Sequence, residues 1–144
     1  MVVSGGGSGA LHALLSHEGA SRFFLQGHIP YSSQALFQYL TEEVSSACSA
    51  ETAQKMAEQA FKEAAKLSGE KRALGISCTA ALKTNPPRRG EDRAFLCFCS
   101  WHSTSLHRIA LEETSRQKQE EKLSLFLLEK LAFFLEAEIK NENG

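Results

Sequence analysis

The sequence predicts an α/β domain with a mixed sheet packed between helix layers. Three observations carry that reading. Short apolar runs alternate with stretches of helical periodicity, two late strands pair across a tight turn, and no repeat or linker breaks the 144 residues. A chain of that length can bury a core that needs no staples, and 42% hydrophobic against 23% charged residues is a globular balance. One domain over residues 1–144 is expected.

The elements follow in order. Residues 1–4 read as a short buried strand, and Gly5-Gly6-Gly7-Ser8-Gly9 as a glycine-rich turn into a helix over residues 10–15 that ends near Gly19. Residues 22–29 are rich in Phe, Leu and Ile and predict a second strand, stopped by Pro30. Ser32 or Ser33 can cap a helix through Leu40. Ser49 caps a longer one over residues 50–67, with Ala53, Met56, Ala57, Ala60, Phe61 and Ala64 on one stripe and Ser68-Gly69 as its end.

Residues 73–78 predict a third buried strand, and residues 83–92, with Pro86-Pro87, an irregular loop. Residues 93–99 and 105–111 predict a hairpin around Trp101, His102 and Ser103. Thr114 with Gln117 three residues on resembles a capping box that opens a long last helix, apolar from Leu123 to Ile139.

Charge and cysteine usage exclude several classes. Sixteen Lys+Arg against 17 Asp+Glu give a formal net charge of −1, so no whole-surface attraction to nucleic acid or to an anionic membrane is expected. No apolar run reaches the roughly 18 to 20 residues that span a bilayer. The opening Met1-Val2-Val3-Ser4 turns into glycine at once, unlike a signal peptide. Cys48, Cys78, Cys97 and Cys99 form no C-x-x-C pair and have no histidine at zinc spacing. They predict reduced, mostly buried thiols in a cytoplasmic protein, with no metal and no cofactor implied. Asp92 is the single aspartate, which leaves little stock for metal loops or paired-aspartate catalysis.

The glycine turn is the sharpest candidate for chemistry. Backbone N–H groups at a strand-to-helix junction, with the positive end of the helix dipole, can cradle a phosphate. The spacing is neither G-x-G-x-x-G nor a P-loop, and a tight turn that only permits close packing fits equally well. Gly6-Gly7-Ser8-Gly9-Ala10 also nearly matches a nucleophile elbow, with Ser8 as the hydroxyl. Lys83, Arg88, Arg89 and Arg93 cluster around the proline loop, where they could grip a phosphate or carboxylate, or form a solvated loop neutralised by Glu91 and Asp92. The histidines are scattered, and Phe23-Phe24 and Phe133-Phe134 read as core. Lys118, Glu121 and Lys122 read as a solvated helix end.

The order of motifs resembles the carboxy-terminal domain of the CinA family. The glycine turn, Gly19-Ala20-Ser21, Tyr31-Ser32 and Gly75-Ile76 carry that resemblance over nearly the whole chain. It is nearest to the divergent CinA-like domains of eukaryotes, which in plants precede a nucleotidyltransferase-like domain. The resemblance implies a three-layer α/β/α sandwich on a mixed, mostly parallel sheet with one antiparallel hairpin. It also implies a relation to nicotinamide-nucleotide amidases, which turn nicotinamide mononucleotide into nicotinate mononucleotide and ammonia.

The catalytic residues do not carry over. Against the family's E-S-C-T-G-G, this chain has Gly5-Gly6-Gly7-Ser8-Gly9-Ala10, so Gly6 stands where the family has its serine. Against Y-S-N-E-A-K it has Tyr31-Ser32-Ser33-Gln34-Ala35-Leu36, so Leu36 replaces the lysine. A later G-I-T-G-x-A-G-P appears as Gly75-Ile76-Ser77-Cys78-Thr79-Ala80-Ala81-Leu82, keeping a hydroxyl at Ser77. Loss of either member of a catalytic unit can abolish most of the rate.

The expectation is therefore a non-catalytic domain that binds a nucleotide or other phosphate-bearing small molecule, regulating an attached nucleotidyltransferase-like enzyme. Gly5, Gly6, Gly7, Ser8, Gly9, Tyr31, Ser32, Ser77, Lys83, Arg88 and Arg89 are its candidate ligand-binding residues. An amidase or other hydrolase with Ser8 or Ser77 as relocated nucleophile is the alternative. A structural module, self-associating as a homodimer through its long last helix, is the third reading.

Overall fold

The computed structural model describes residues 1–143. The order of elements is β1 (Val2–Ser4), α1 (Ser8–Leu15), a 3-10 turn (Ala20–Arg22), α2 (Ser33–Leu40), α3 (Ala50–Ser68), β2 (Leu74–Ala81), β3 (Arg93–Ser100), β4 (Thr104–Ala110) and α4 (Arg116–Asn143). The strands stand side by side as β1-β2-β3-β4. β1 runs parallel to β2, and the β2–β3 and β3–β4 ladders are antiparallel. The α/β class, the mixed sheet and the late hairpin are as expected, but parallel pairing is the minority rather than the majority.

That shift in balance has one cause, because residues 22–29 are not a strand. They leave the 3-10 turn as an extended segment that touches the sheet at a single parallel bridge, Val2 to His28. Two hydrogen bonds fix it there, Val3 N–H to the His28 carbonyl at 3.0 Å and His28 N–H to the Met1 carbonyl at 2.9 Å. β1 is only three residues long, so there is no edge for a longer ladder, and Pro30 has no N–H with which to continue. Phe23, Leu25 and Ile29, the apolar residues that imitate a strand, are exposed.

The sheet separates two helix layers through strict alternation. On β2, Gly75, Ser77 and Thr79 face α3, while Ile76, Cys78 and Ala80 join the core shared with α1 and α4. On β3, Cys97 and Cys99 pack with Ala53 and Ala57 of α3, and Ala94, Leu96 and Phe98 face the other way. α4 covers that second face with Leu123, Leu127, Leu131 and Phe134. α2 docks on α3 and the sheet edge through Leu36 and Leu40, against Val2, Met56 and Ala60.

Local capping agrees with sequence chemistry at two helices. Ser32 caps α2 by accepting the Ala35 N–H at 3.1 Å, and Ser49 caps α3 by accepting that of Thr52 at 3.1 Å. At α4 the cap lies one residue later than expected. Ser115, not Thr114, accepts the Lys118 N–H at 3.1 Å, so no capping box closes onto Gln117. β2 also runs on to Ala81 rather than ending at Cys78, because it is paired on both sides for part of its length.

All four cysteines are buried free thiols. Burial, with Cys99 beside it, pushes the Cys97 thiol up to about 12, and burial likewise raises Cys48, Cys78 and Cys99. A thiol so held is a small core residue rather than a nucleophile. Among the described residues, no helix is long and apolar enough to cross a membrane.

The closest approach in the fold is α3 on β2. A Cβ at Gly75 would drive into the Ala57 carbonyl oxygen and stand 2.6 Å from the Phe61 nitrogen. Since backbone and not a side-chain end would have to move, Gly75→Ala is expected to cost at least about 2 kcal/mol by urea titration. An unchanged midpoint would show that α3 can lift from the sheet.

Candidate functional site

The turn between β1 and α1 takes its shape from glycines held where other residues are strained. Gly5 has φ 79° and Gly7 φ 99°, both left-handed. Gly7 is the N-cap of α1 and offers no side chain to it. The missing cap comes from α4, where Glu120 Oε1 accepts the Gly7 N–H at 2.8 Å. Ser124 Oγ donates to the other oxygen of Glu120 at 2.7 Å. The chain thus places its own carboxylate at the positive end of α1. The N–H groups of Ser8 and Gly9, next along, have no partner among the described residues.

The turn is also a packing surface. A Cβ at Gly6 would lie 2.9 Å from Ala80 Cβ, 3.1 Å from Leu82 Cδ1 and 3.2 Å from Leu123 Cδ2. One at Gly9 would lie 2.5 Å from Ser124 Oγ. The glycines let β2 and α4 approach, whatever else they do.

Above the turn opens a cavity of about 390 Å³, lined by Gly5, Gly6, Ser8, Tyr31, Arg116 and Glu120, with Val3, Ile29, Leu82 and Gln117 completing it. Arg116 ties its walls together. Its guanidinium donates to the Lys83 carbonyl at 2.9 Å, to the Gly5 carbonyl at 3.2 Å and to the Tyr31 hydroxyl at 3.2 Å. Three segments distant in sequence thus meet on one cation.

Several expected binding residues lie elsewhere. Ser77 is fully buried on the α3 side of the sheet, where its hydroxyl donates to the Ala53 carbonyl at 2.6 Å. It can neither line this cavity nor act as a nucleophile in it. Ser32 is engaged as the α2 cap. Arg88 is clamped on Asp92 Oδ1 at 2.7 Å and on the Leu82 carbonyl. Lys83 reaches Asp92 at 3.9 Å, and Arg89 is an exposed loop residue. The basic loop is therefore a structural clamp. Of the expected residues, Gly5, Gly6, Ser8 and Tyr31 line the cavity, and Gly7 and Gly9 shape it from behind.

The clamp centres on Gln119, which is fully buried. Its amide donates to Asp92 Oδ2 at 2.8 Å and to the Leu111 carbonyl at 3.1 Å, while its oxygen accepts the Lys83 N–H at 2.8 Å. Every hydrogen-bonding direction it needs is used. Arg116, Gln119 and Glu120 escaped sequence reasoning, which read this stretch as a solvated helix end. A signal was present, because Gln119, Leu123, Leu127 and Leu131 recur every fourth residue and continue the buried stripe toward the helix start.

No histidine lines the cavity, and no group of three His, Cys, Asp or Glu among the described residues could hold a metal ion. Leu36 is buried in the α2–α3 cluster, not turned toward the glycine turn.

Known structures share this fold. The competence damage-inducible protein A (ComA) of Klebsiella pneumoniae superposes with a TM-score of 0.67 at 16% identity, over 93% of this chain and 84% of that one. A CinA superfamily protein of Enterobacter cloacae gives 0.69 at 18% identity, over 93% and 79%. The chain has the CinA fold. A competence or damage-inducible protein of Enterobacter asburiae gives 0.66 at 18% identity, over 91% of this chain and 83% of that one. No protein-family model and no curated protein sequence matches the chain, so the likeness rests on the CinA fold alone.

The Asp92 clamp predicts an acid transition. Gln119 above all, with Arg88 and Lys83 adding to it and burial opposing, holds the Asp92 carboxyl below its ordinary range. A lowered folded-state value means the contribution is fully present above the unfolded value near about pH 3.9, and is lost as pH falls through the folded one. Asp92→Asn should therefore lower stability at neutral pH and flatten the stability–pH curve below about pH 4. Parallel acid limbs in the two proteins would exclude Asp92 as the group that titrates.

Proposed function

We propose that this chain is a non-catalytic CinA-fold domain that binds a mononucleotide-like ligand at the glycine turn. One observation carries the reading. The position where the resemblance places the catalytic serine is Gly6, wedged against Ala80, Leu82 and Leu123, and the lysine position is Leu36, sunk in an apolar cluster. Neither can supply a nucleophile or a proton, while a cavity lined in part by polar groups persists beside Gly6.

The polar groups favour a ligand with both an anion and hydroxyl donors. Arg116 and the N–H group of Ser8 suit a phosphate. Glu120 opposes a bare anion but accepts hydrogen bonds from ribose hydroxyls. A mononucleotide joins those two features, and inorganic phosphate offers only the first. Such a domain would act as a regulatory sensor for an attached nucleotidyltransferase-like enzyme, alone or as a homodimer.

The second reading is a hydrolase acting through Ser8, whose hydroxyl lies at the cavity wall. Glu120 would have to be its base, yet both oxygens already accept hydrogen bonds, from Gly7 and Ser124. Glu120 is thus held by Gly7 and Ser124 rather than by Ser8. The non-catalytic reading is therefore preferred.

Thermal shift with nicotinamide mononucleotide, nicotinate mononucleotide and inorganic phosphate, with ammonia followed in parallel, tests the choice. Stabilisation by a mononucleotide beyond that by phosphate, without ammonia, is expected, amounting to about 2.7 kcal/mol at 100 times Kd. Arg116→Lys keeps the charge but loses the fork, and should weaken binding about tenfold. Ammonia release by the unaltered protein, absent in Ser8→Ala, would replace this reading with the hydrolase. Restoring the serine alone should fail too: Gly6→Ser is expected to cost about 1–3 kcal/mol by denaturant titration and to release no ammonia.

A further inference from the structure

A second cavity, of about 490 Å³, lies between α1, α2, α3, β2, the second half of α4 and the extended segment 23–28, and it shares no lining residue with the glycine-turn pocket. Its walls are mostly apolar, with Leu14, Phe24, Leu74, Ile76 and Leu131 among them. Six polar side chains break that lining, His17, Gln26, His28, Tyr39, Glu63 and Arg72, and three of them stand out.

Each of the three carries a buried atom without a hydrogen-bond partner. They are His28 Nε2, the Tyr39 hydroxyl and Glu63 Oε1, and the only other such atom among the described residues is Glu113 Oε1, away from this cavity. Buried polar groups are almost always paired, so three orphans around one apolar space need an explanation. His28 and Glu63 do not satisfy one another. His28 Nε2 stands 3.7 Å from Glu63 Oε2, well beyond a charge-assisted hydrogen bond. The His28 ring instead lies tilted against Tyr39 with 5.2 Å between centroids. The bridge to Val2 fixes the His28 backbone beside this cavity. Burial, and then the Glu63 carboxylate, push the Tyr39 phenol well above its ordinary value, so it stays a neutral hydroxyl.

We propose that this cavity binds a small organic amine, its protonated nitrogen between Glu63, Tyr39 and His28 and its apolar body against Leu14, Phe24 and Leu131. The match is one of chemistry and number. An ammonium group has three donors and no acceptor, and a carboxylate oxygen, a phenol oxygen and the acceptor nitrogen of a neutral imidazole can each accept one. Glu63 is the one carboxylate of the lining, facing Arg72 and the Met1 ammonium across it, and the aromatic and aliphatic walls take the apolar body. A water molecule alone would satisfy the polar end and leave the apolar remainder of the space unexplained. The site is independent of the mononucleotide reading and would stand if that reading failed.

Three probes of one shape decide the matter: 2-phenylethylamine, 2-phenylethanol and 3-phenylpropionate, titrated at pH 7.5 and followed by amide NMR shifts. The amine is expected to bind at least about tenfold more tightly than the alcohol, with shifts at residues 28, 39 and 63, and the propionate not at all. Glu63→Gln should erase the preference for the amine while the alcohol binds as before. This variant removes an unpaired buried oxygen charge, so its melting temperature without ligand should equal or exceed that of the unaltered protein. The proposal is overturned if no probe binds up to about 10 mM, if amine and alcohol bind alike, or if the propionate is preferred through Arg72 at the rim. It is equally overturned if Glu63→Gln leaves amine binding intact.

Discussion

Both helix layers press on β2 so closely that only small residues fit between them, and the rest of the molecule is arranged around that contact. On one side Gly75 lets the backbone of α3 come to the strand, where Ala53, Ala57, Ala60 and Ala64 present a face without bulk. On the other side the glycine turn rests on Cys78 and Ala80. Close backbone approach leaves polar groups without water, and two hydroxyls on β2 answer this. Ser77 donates to the Ala53 carbonyl, and Thr79 donates to the Ala47 carbonyl at 2.5 Å. The same alternation that sends hydroxyls toward α3 sends Ile76, Cys78 and Ala80 toward α4. Ser77, a tempting catalytic residue in sequence, is therefore a structural fastener.

α4 converts that packed sheet into a site. Its buried stripe of leucines seats it on the sheet, and the turn before Leu123 then falls beside the glycine turn. Gln119 locks the loop after β2, Glu120 caps α1, and Arg116 spans to Tyr31 and Gly5. Arg116 and Glu120, four residues apart, share the helix face that meets the glycine turn, while Gln119, about 100° from Glu120, points to the loop after β2. The cavity above the turn is thus walled by residues whose first duty is to hold α4 in place. A ligand there would meet a preformed set of donors and acceptors rather than assemble one.

What was legible in the sequence is what depends on local chemistry. Ser32 and Ser49 as caps, the small-residue stripe of α3, and the hairpin around Trp101 are all local signals, and all are observed. The glycine turn was legible as a turn, and its use as a packing surface was one of the two readings left open. What was not legible depends on partners distant in the chain. Residues 22–29 have strand composition, but β1 offers only three residues to pair with. Arg88 and Lys83 have the composition of a phosphate grip, but Asp92 lies four residues from Arg88 and takes both. The recurrence of Gln119 with Leu123, Leu127 and Leu131 hints that Gln119 is buried, but nothing in residues 116–120 names the loop of residues 83–92 as what covers it.

The two residues that depart from the CinA-like catalytic pattern are not idle substitutions in an otherwise intact site. Leu36 lies in the cluster that docks α2, with Val2, Leu40, Met56 and Ala60 around it. A lysine there would bury an ammonium with no carboxylate among those neighbours, a cost that normally shifts the residue to its neutral form or undocks the helix. Gly6 is enclosed by Ala80, Leu82 and Leu123, so a serine would push on β2 and α4 together. Each position now contributes to packing what it lacks in chemistry. Regaining the chemistry would require a different seat for α2 and a wider gap under the glycine turn, not merely two side chains. That coupling between helix docking and side-chain identity is the physical argument behind the proposal of a non-catalytic domain on the CinA fold.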